Sequence, residues 1–471
     1  MTPYGSLILR GCSDVDRLPN EVLSAIFMFV VEPHSDDMTT TTSPTTISQV
    51  CHRWRQVALA TGSLWTNIVL TFPTSREQLT RTITWLVRSN TYPLDILLDF
   101  RDPEWDFEDE ESHGFCWTDM EPVLRLLLPS AARWRTIELF TDTWAPIFAF
   151  LGYTRTIGPS LSRLEKLHLA RCNAYFALKG EVFEPAELSR HLPLFGGAGD
   201  STLPHLREVA LTGVHIDWSA PPLANLTKLE FKYQAADVMP SVAQFARIVA
   251  ACPTLAVLAI VGCGPQFPRT AHGGGSASAS TVAPGTPDGA LNGAIQLTNV
   301  TQFTFGFVDV HYAVQLLAIM DLPALRELSL EHVSASLRDP APDDAGVLLE
   351  WLCNRVHGRG HNDAVSTSPS SQTPLAQLST LALHSFSAPR TTFVRLFAAC
   401  SGVHALELSD VDEQCLKALV GTPALLPRLR TLDARDVDRA LVELILCFRG
   451  AKVAHGNIEN HSLGHNPQND N

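Results

Sequence analysis

Three sets of residues in this chain have types and spacings that chemistry could use. Cys353, His357 and His361 stand four apart, so an uninterrupted helix would turn a thiol and two imidazoles onto one face, as a bound metal ion requires. Gly358 and Gly360 end such a helix before His361 is placed, and no fourth ligand is evident, so a helix turn running into a loop is the reading favoured. The second set is glycine: Gly196, Gly197 and Gly199, and again Gly273, Gly274 and Gly275. Neither cluster is followed by Lys-Ser or Lys-Thr, and neither opens an apolar helix after a strand, which a phosphate-cradling loop needs. Gly-x-Ser-x-Gly and His-Glu-x-x-His are absent. No catalytic residue, cofactor or metal is therefore expected. The third set, charged residues recurring at fixed strand positions, has the chemistry of recognition.

The elements that must position those charges repeat along the chain. Leu161, Leu164, Leu167, Leu169 and Cys172 define apolar offsets of zero, three, six, eight and eleven. The same offsets recur from Leu203, Cys252, Leu297, Leu322, Leu375, Cys400 and Leu426, with weaker copies from Ala131 and Leu223. Each unit's middle alternates apolar and other residues, which predicts a short strand with one face buried. Residues 241–251, 309–320, 344–356, 391–399, 412–420 and 439–448 carry apolar residues at three- and four-residue spacing, which predicts helices. One strand and one helix per unit resembles the leucine-rich repeat, and implies an irregular α/β horseshoe solenoid over 131–450. Residues 196–200, 271–293 and 358–374, rich in Gly, Ser, Thr and Pro, read as flexible excursions, and 451–471 as a polar tail.

On that reading, offsets five, seven, nine and ten face the concave surface. Through the unit starting at Cys252 these positions hold the bases Lys166, Arg171, Lys228 and Lys232 with the acids Glu138, Glu208 and Glu230. From the Leu297 unit onward they hold Glu327, Glu331, Glu407, Asp410, Asp433 and Asp436 with a single base, Arg435. The face is polarised, and its C-terminal half should attract a basic segment of a protein partner, less so at high salt.

Composition narrows the partners. The 471 residues are 45% hydrophobic and only 18% charged, with a net charge of −14, which argues against a phosphate-binding surface and so against nucleic acid. Ten Cys without regular short spacing predict reduced thiols rather than a disulfide framework. The first ten residues lack the apolar run of a secretion signal, so a cytoplasmic or nuclear protein is expected. Residues 248–268 carry no charge, but Pro253, Gly262, Gly264 and Pro265 interrupt them, and the repeat accounts for their apolar residues better than a membrane span does.

A different pattern precedes the repeats. Leu18-Pro19-Asn20-Glu21 opens a helix, with Asp16 as the expected cap, and Val22, Leu23, Ile26, Phe27 and Val30 form its apolar stripe. A Thr-rich stretch over 32–46 interrupts. A second helix is predicted from Ile47 through Ala58, with Val50, Cys51, Trp54 and Val57 on its apolar side, before Ser63-Leu64-Trp65 and the strand-like Ile68, Val69 and Leu70. So short a segment buries too little alone, which argues for a docking module over 14–70. Residues 71–130 read as a connecting segment, with seven acids around Trp105 and Phe107 in the run 101–111.

The motifs Leu18-Pro19-x-Glu21-x-Leu23-x-x-Ile26-Phe27, Val50-Cys51-x-Arg53-Trp54-x-x-x-Ala58 and Ser63-Leu64-Trp65 resemble an F-box, a short all-α module. Together with the repeats, the resemblance extends to F-box proteins with leucine-rich repeats. It implies a non-catalytic subunit of a ubiquitin ligase: the helical module binds the Skp adaptor and through it a cullin scaffold, while the repeats hold a protein substrate for ubiquitin transfer. By motif position, Leu18, Pro19, Leu23, Ile26, Val50, Cys51 and Trp54 would contact the adaptor or shape the contacting helices. The Thr-rich interruption departs from the usual pattern and leaves the placement of the second helix open. The alternative is a leucine-rich-repeat scaffold whose N-terminal helices only cap the solenoid.

Overall fold

A computed structural model describes residues 14–31, 43–105, 112–172, 182–196, 203–219, 221–268, 294–337, 342–355, 374–422, 424–449 and 452–453. The predicted excursion at 271–293, all but the last residue of that at 358–374, most of the Thr-rich stretch, most of the acidic run, His357, His361 and most of the tail lie outside these residues. The chain divides into two compact units, Met1–His168 with Leu203–His205, and Leu169–Thr202 with Leu206–Asn471.

The first unit opens with α1 (Asn20–Val31), α2 (Pro44–Gln49) and α3 (His52–Ala60). It continues through β1 (Asn67–Thr71), α4 (Arg76–Arg88), β2 (Leu94–Asp99), α5 (Trp117–Leu127), β3 (Trp134–Thr141) and α6 (Trp144–Thr154). The three strands form a parallel ladder in which Ile68, Ile96 and Ile137 are successive partners. Residues 71–130, read from sequence as a connection, thus carry a strand and two helices, and the strand is the middle one of the ladder. Leu94, Ile96 and Leu98 point into the core while Asp95, Leu97 and Asp99 are half-exposed, the alternation of a strand with one face covered.

A strand at the boundary, β4 (Lys166–Arg171), is followed in the second unit by β5 (Glu208–Thr212), β6 (Lys228–Gln234), α7 (Val242–Ala250), β7 (Val257–Gly262), β8 (Ile295–Gln296) and β9 (Gln302–Phe307). Then come α8 (Val310–Ile319), β10 (Met320–Asp321), β11 (Glu327–His332), the one-turn α9 (Val333–Ser336) and α10 (Gly346–Arg355). The unit ends with β12 (Thr380–His384), α11 (Arg390–Ala399), β13 (Ala405–Ser409), α12 (Glu413–Gly421), β14 (Thr431–Arg435), α13 (Arg439–Arg449) and β15 (Lys452–Val453). The predicted helices fall where their periodicity placed them. Ser241, Asp309 and Asp412 cap α7, α8 and α12 through their side-chain oxygens.

The sheet of this unit runs β5-β6-β7-β9-β11-β12-β13-β14-β15, every pair parallel, with β8 and β10 paired separately. The third residues of the sequence repeat, Val209, Leu229, Leu258, Phe303, Leu328, Leu381, Leu406 and Leu432, are successive partners across it. All eight are buried. The residue at offset four binds the ladder together before each strand begins. Ala256 N–H donates to the Thr227 carbonyl (2.9 Å), Thr301 to Ala256 (2.9 Å), Arg326 to Thr301 (2.9 Å), Ser379 to Arg326 (2.7 Å), His404 to Ser379 (2.9 Å) and Arg430 to His404 (2.8 Å). One backbone bond is thereby repeated from unit to unit whatever the length of chain between them.

The uncharged stretch 248–268 is resolved by this arrangement. It supplies the end of α7 and the whole of β7, which pairs with β6 on one side and β9 on the other. Leu258, Ala259, Ile260 and Val261 are all buried between the strands that flank β7, so the run shows no alternation. Among the described residues, no helix is long and apolar enough to cross a membrane.

Candidate functional site

The N-terminal helices are held by a small core of their own. Leu23 and Phe27 of α1 meet Ile47 of α2, Val57 and Ala58 of α3, and Leu64 and Trp65, with Leu18, Trp54 and Trp85 packed at the edge. The rings of Phe27 and Trp54 lie 4.8 Å apart, and the indole N–H of Trp65 donates to the Ala58 carbonyl at 2.9 Å. Arg53 reaches back from α3, donating to Asn20 Oδ1 (3.1 Å) and to the Leu18 carbonyl, which fixes the Leu18-Pro19 entry against the second half of the module. Asp16 belongs to a separate 3₁₀ turn, Asp14–Arg17, so it is not the cap of α1; the Pro19 carbonyl accepts the N–H of Leu23 (3.1 Å).

The single helix predicted from Ile47 is two. Cys51 is extended (φ −154°, ψ 172°) and caps α3 by accepting the Trp54 N–H on its sulfur, while Ser43 caps α2. This break leaves Val50 59% exposed. Burial divides the predicted stripe of α1 as well. Leu23 and Phe27 point inward, whereas Val22, Ile26, Phe29 and Val30 remain exposed, Phe29 at 67%. Of the residues assigned to the adaptor by resemblance, Pro19, Ile26, Val50 and Cys51 are exposed, Leu18 and Trp54 are half-buried, and Leu23 is buried and can only shape the surface. Phe29 was missed. Its exposure follows from the side of α1 it occupies, which the sequence alone did not separate from the core side.

Residues 15–71 match the family described as F-box-like, a class of module that binds an adaptor and is typically non-catalytic. The chain therefore carries an F-box-like domain over its first helices and first strand. No curated protein matches the chain.

In the second unit, the outward strand residues form a grid. Across β6, β7, β9, β11, β12 and β13, one row reads Lys228, Val257, Gln302, Glu327, Thr380, Ala405, and the next reads Glu230, Ala259, Thr304, Ser329, Ala382, Glu407. The small side chains of the second row leave a groove of about 390 Å³, lined among others by Thr304, Ser329, Thr380, Ala382, Glu327 and Glu407. Lys228 and Lys232 each lie 3.2 Å from the Glu230 carboxylate, which they hold below the usual carboxylate range against the opposing effect of burial. Glu327 accepts from the neutral amide of Gln302 (2.9 Å), Glu331 from the Ser336 hydroxyl (3.2 Å), and Asp433 pairs with Arg435 (2.7 Å). In the first unit, Lys166 pairs with Glu138 at 2.6 Å.

Three residues expected on this face stand elsewhere. Asp410 and Asp436 (both φ 52°) occupy left-handed turns at the strand ends, as do Gly213, Tyr233, Gly262 and Ser385 at the same offset of ten. There the backbone N–H of Gly213, Ser385 and Asp410 donates to the carbonyl at offset nine of the next unit, Lys232, Ser409 and Arg435. In these units offset ten is a turn position, not a face position. Arg171 is 1% exposed: its guanidinium donates to the Glu184 carbonyl (2.6 Å) and lies over the Phe183 ring. Burial pushes its pKa down to about 9.

The same buried patch holds His215, whose Nε2 stands 3.1 Å from the Ser189 carbonyl and whose ring meets the Phe183 ring edge-to-face. Burial first, then the neighbouring His191, pushes the His215 pKa down to about 3. The unfolded imidazole titrates near pH 6.5, so its neutral burial stabilises the fold fully above that pH and progressively less as pH falls toward 3. Between pH 6.5 and 5 the loss is about 2 kcal/mol, at ~1.4 kcal/mol per unit. Denaturant unfolding of the second unit in His215→Phe, followed through the indole resonance of Trp218 in that unit, is expected to show an acid loss smaller by about that amount; an unchanged slope between pH 7 and 5 would remove His215 as its source.

Proposed function

We propose that this protein is a substrate receptor of a Skp-cullin-F-box ubiquitin ligase. Its F-box-like helices bind a Skp-type adaptor that links it to a cullin scaffold, and its repeated strands, an irregular leucine-rich-repeat solenoid, hold a protein substrate for ubiquitination. The observation that carries the reading is the outward face of α1, where Ile26 and Phe29 stay exposed, as does Val50 between α2 and α3, in a domain that already has a closed core. A domain acting only as a cap has no use for such a face, whereas a docking module buries it on its partner. The in-register parallel strands, the repeated offset-four bond and the recurring left-handed turn support the solenoid.

Co-purification tests the reading. The intact chain is expected to capture a Skp adaptor, and a Leu18→Ala, Pro19→Ala variant to lose most of it. An intact chain that captures none refutes the reading and leaves a scaffold with capping helices.

A further inference from the structure

We infer that the groove over β12 is a subsite for an arginine side chain of an extended substrate segment. The inference rests on the substrate-receptor reading and gives the substrate a chemistry. Two observations carry it. The first is shape: Thr304, Ser329 and Ala382 are adjacent partners on β9, β11 and β12, and none extends beyond a methyl and a hydroxyl. Strands ~4.8 Å apart make this floor about 10 Å long, and Thr380 extends it along β12. Neighbouring floors of the sheet are filled, by Lys228, Glu230 and Lys232 on β6 at one end.

The second is charge. Glu327 on β11 and Glu407 on β13 flank β12 from its two sides, and among the described residues neither forms a salt bridge; Arg435, whose charge acts on Glu407, is itself bound to Asp433. Glu230 at the far end of the groove is neutralised by two lysines, so the negative potential concentrates over Thr380 and Ala382. A planar guanidinium with five N–H donors can meet carboxylates on two sides at once, whereas a neutral side chain there would leave both charges without a counter-charge. With strands ~4.8 Å apart and ~3.3 Å per residue, a segment of about seven residues crosses from Glu230 to Glu407.

The probe is the capped peptide Gly-Ser-Gly-Arg-Gly-Ser-Gly, titrated at low salt into the full chain carrying 13C-labelled alanine, beside the same peptide with citrulline for arginine. The arginine peptide is expected to move the Ala382 methyl resonance, and citrulline or Glu407→Gln to weaken binding at least tenfold. Glu413→Gln, on α12, is expected to leave it unchanged. Equal binding of the two peptides, or no movement of Ala382 at millimolar peptide, overturns the subsite. Adaptor capture by the Glu327→Gln, Glu407→Gln variant is measured in parallel and is expected to equal that of the intact chain. An intact chain that captures the adaptor but gives no peptide response therefore fails the subsite alone, while an intact chain that captures no adaptor fails the receptor reading.

Discussion

Ile26→Asp combined with Val50→Asp is expected to weaken adaptor binding at least 100-fold while leaving the fold intact. Both side chains are exposed, at 41% and 59%, and neither belongs to the core cluster of Leu23, Phe27, Ile47, Val57, Ala58, Leu64 and Trp65. Exposed substitutions of this kind change stability by about 1 kcal/mol or less, including the modest helix cost of Asp within α1. On binding, each new carboxylate would be taken from water into an apolar contact with no cation to meet it, at a cost of a few kcal/mol. Calorimetric titration against the purified adaptor measures the loss, and circular dichroism checks the fold. Undiminished affinity would place the adaptor on another surface.

Trp65→Ala is expected to remove the same binding by a different route. Trp65 is fully buried, its ring meets Trp85 edge-to-face at 5.7 Å, and the Arg88 guanidinium lies over it at 4.3 Å. Truncation opens a cavity and strips the Ala58 carbonyl of its donor, a loss of about 3–5 kcal/mol. The chain has two units, so a single unfolding free energy is ill-defined and local opening is the better readout. Amide exchange in α3 is expected to accelerate by roughly 100-fold or more at ~1.4 kcal/mol per decade, with little change in β11 to β13. Unchanged exchange in α3 would show that the N-terminal core does not depend on this indole. The contrast with Ile26 and Val50 matters: there binding falls with the fold intact, here both fall together.

Particular residues show what could be read from sequence and what could not. The register of the second sheet was legible because Leu258, Phe303, Leu328 and Leu381 are fixed by one repeated apolar spacing, and strand pairing follows that spacing directly. The strand at 94–99 was missed because the template asks for apolar residues six and three before Ile96 and five after it, where the chain has Asn90, Pro93 and Arg101. Only its inner alternation survives. Offset ten was misread as a face, although Gly213, Gly262, Asp410 and Asp436 at that place are residue types that tolerate a left-handed backbone. The break between α2 and α3 has no Gly or Pro to announce it; it depends on a cysteine serving as a cap, a weak signal in sequence. The exposed side of α1 was not legible either, because Ile26 and Phe27 are equally apolar and only packing distinguishes them.

The most direct measurement is hydrogen exchange of the intact chain with and without a Skp adaptor. Slowed exchange across α1 and at residues 50–54, with β11 to β13 unaffected, is the result expected. An adaptor that leaves α1 unprotected, or that protects the strands of the second unit instead, would contradict the assignment of this face to the adaptor.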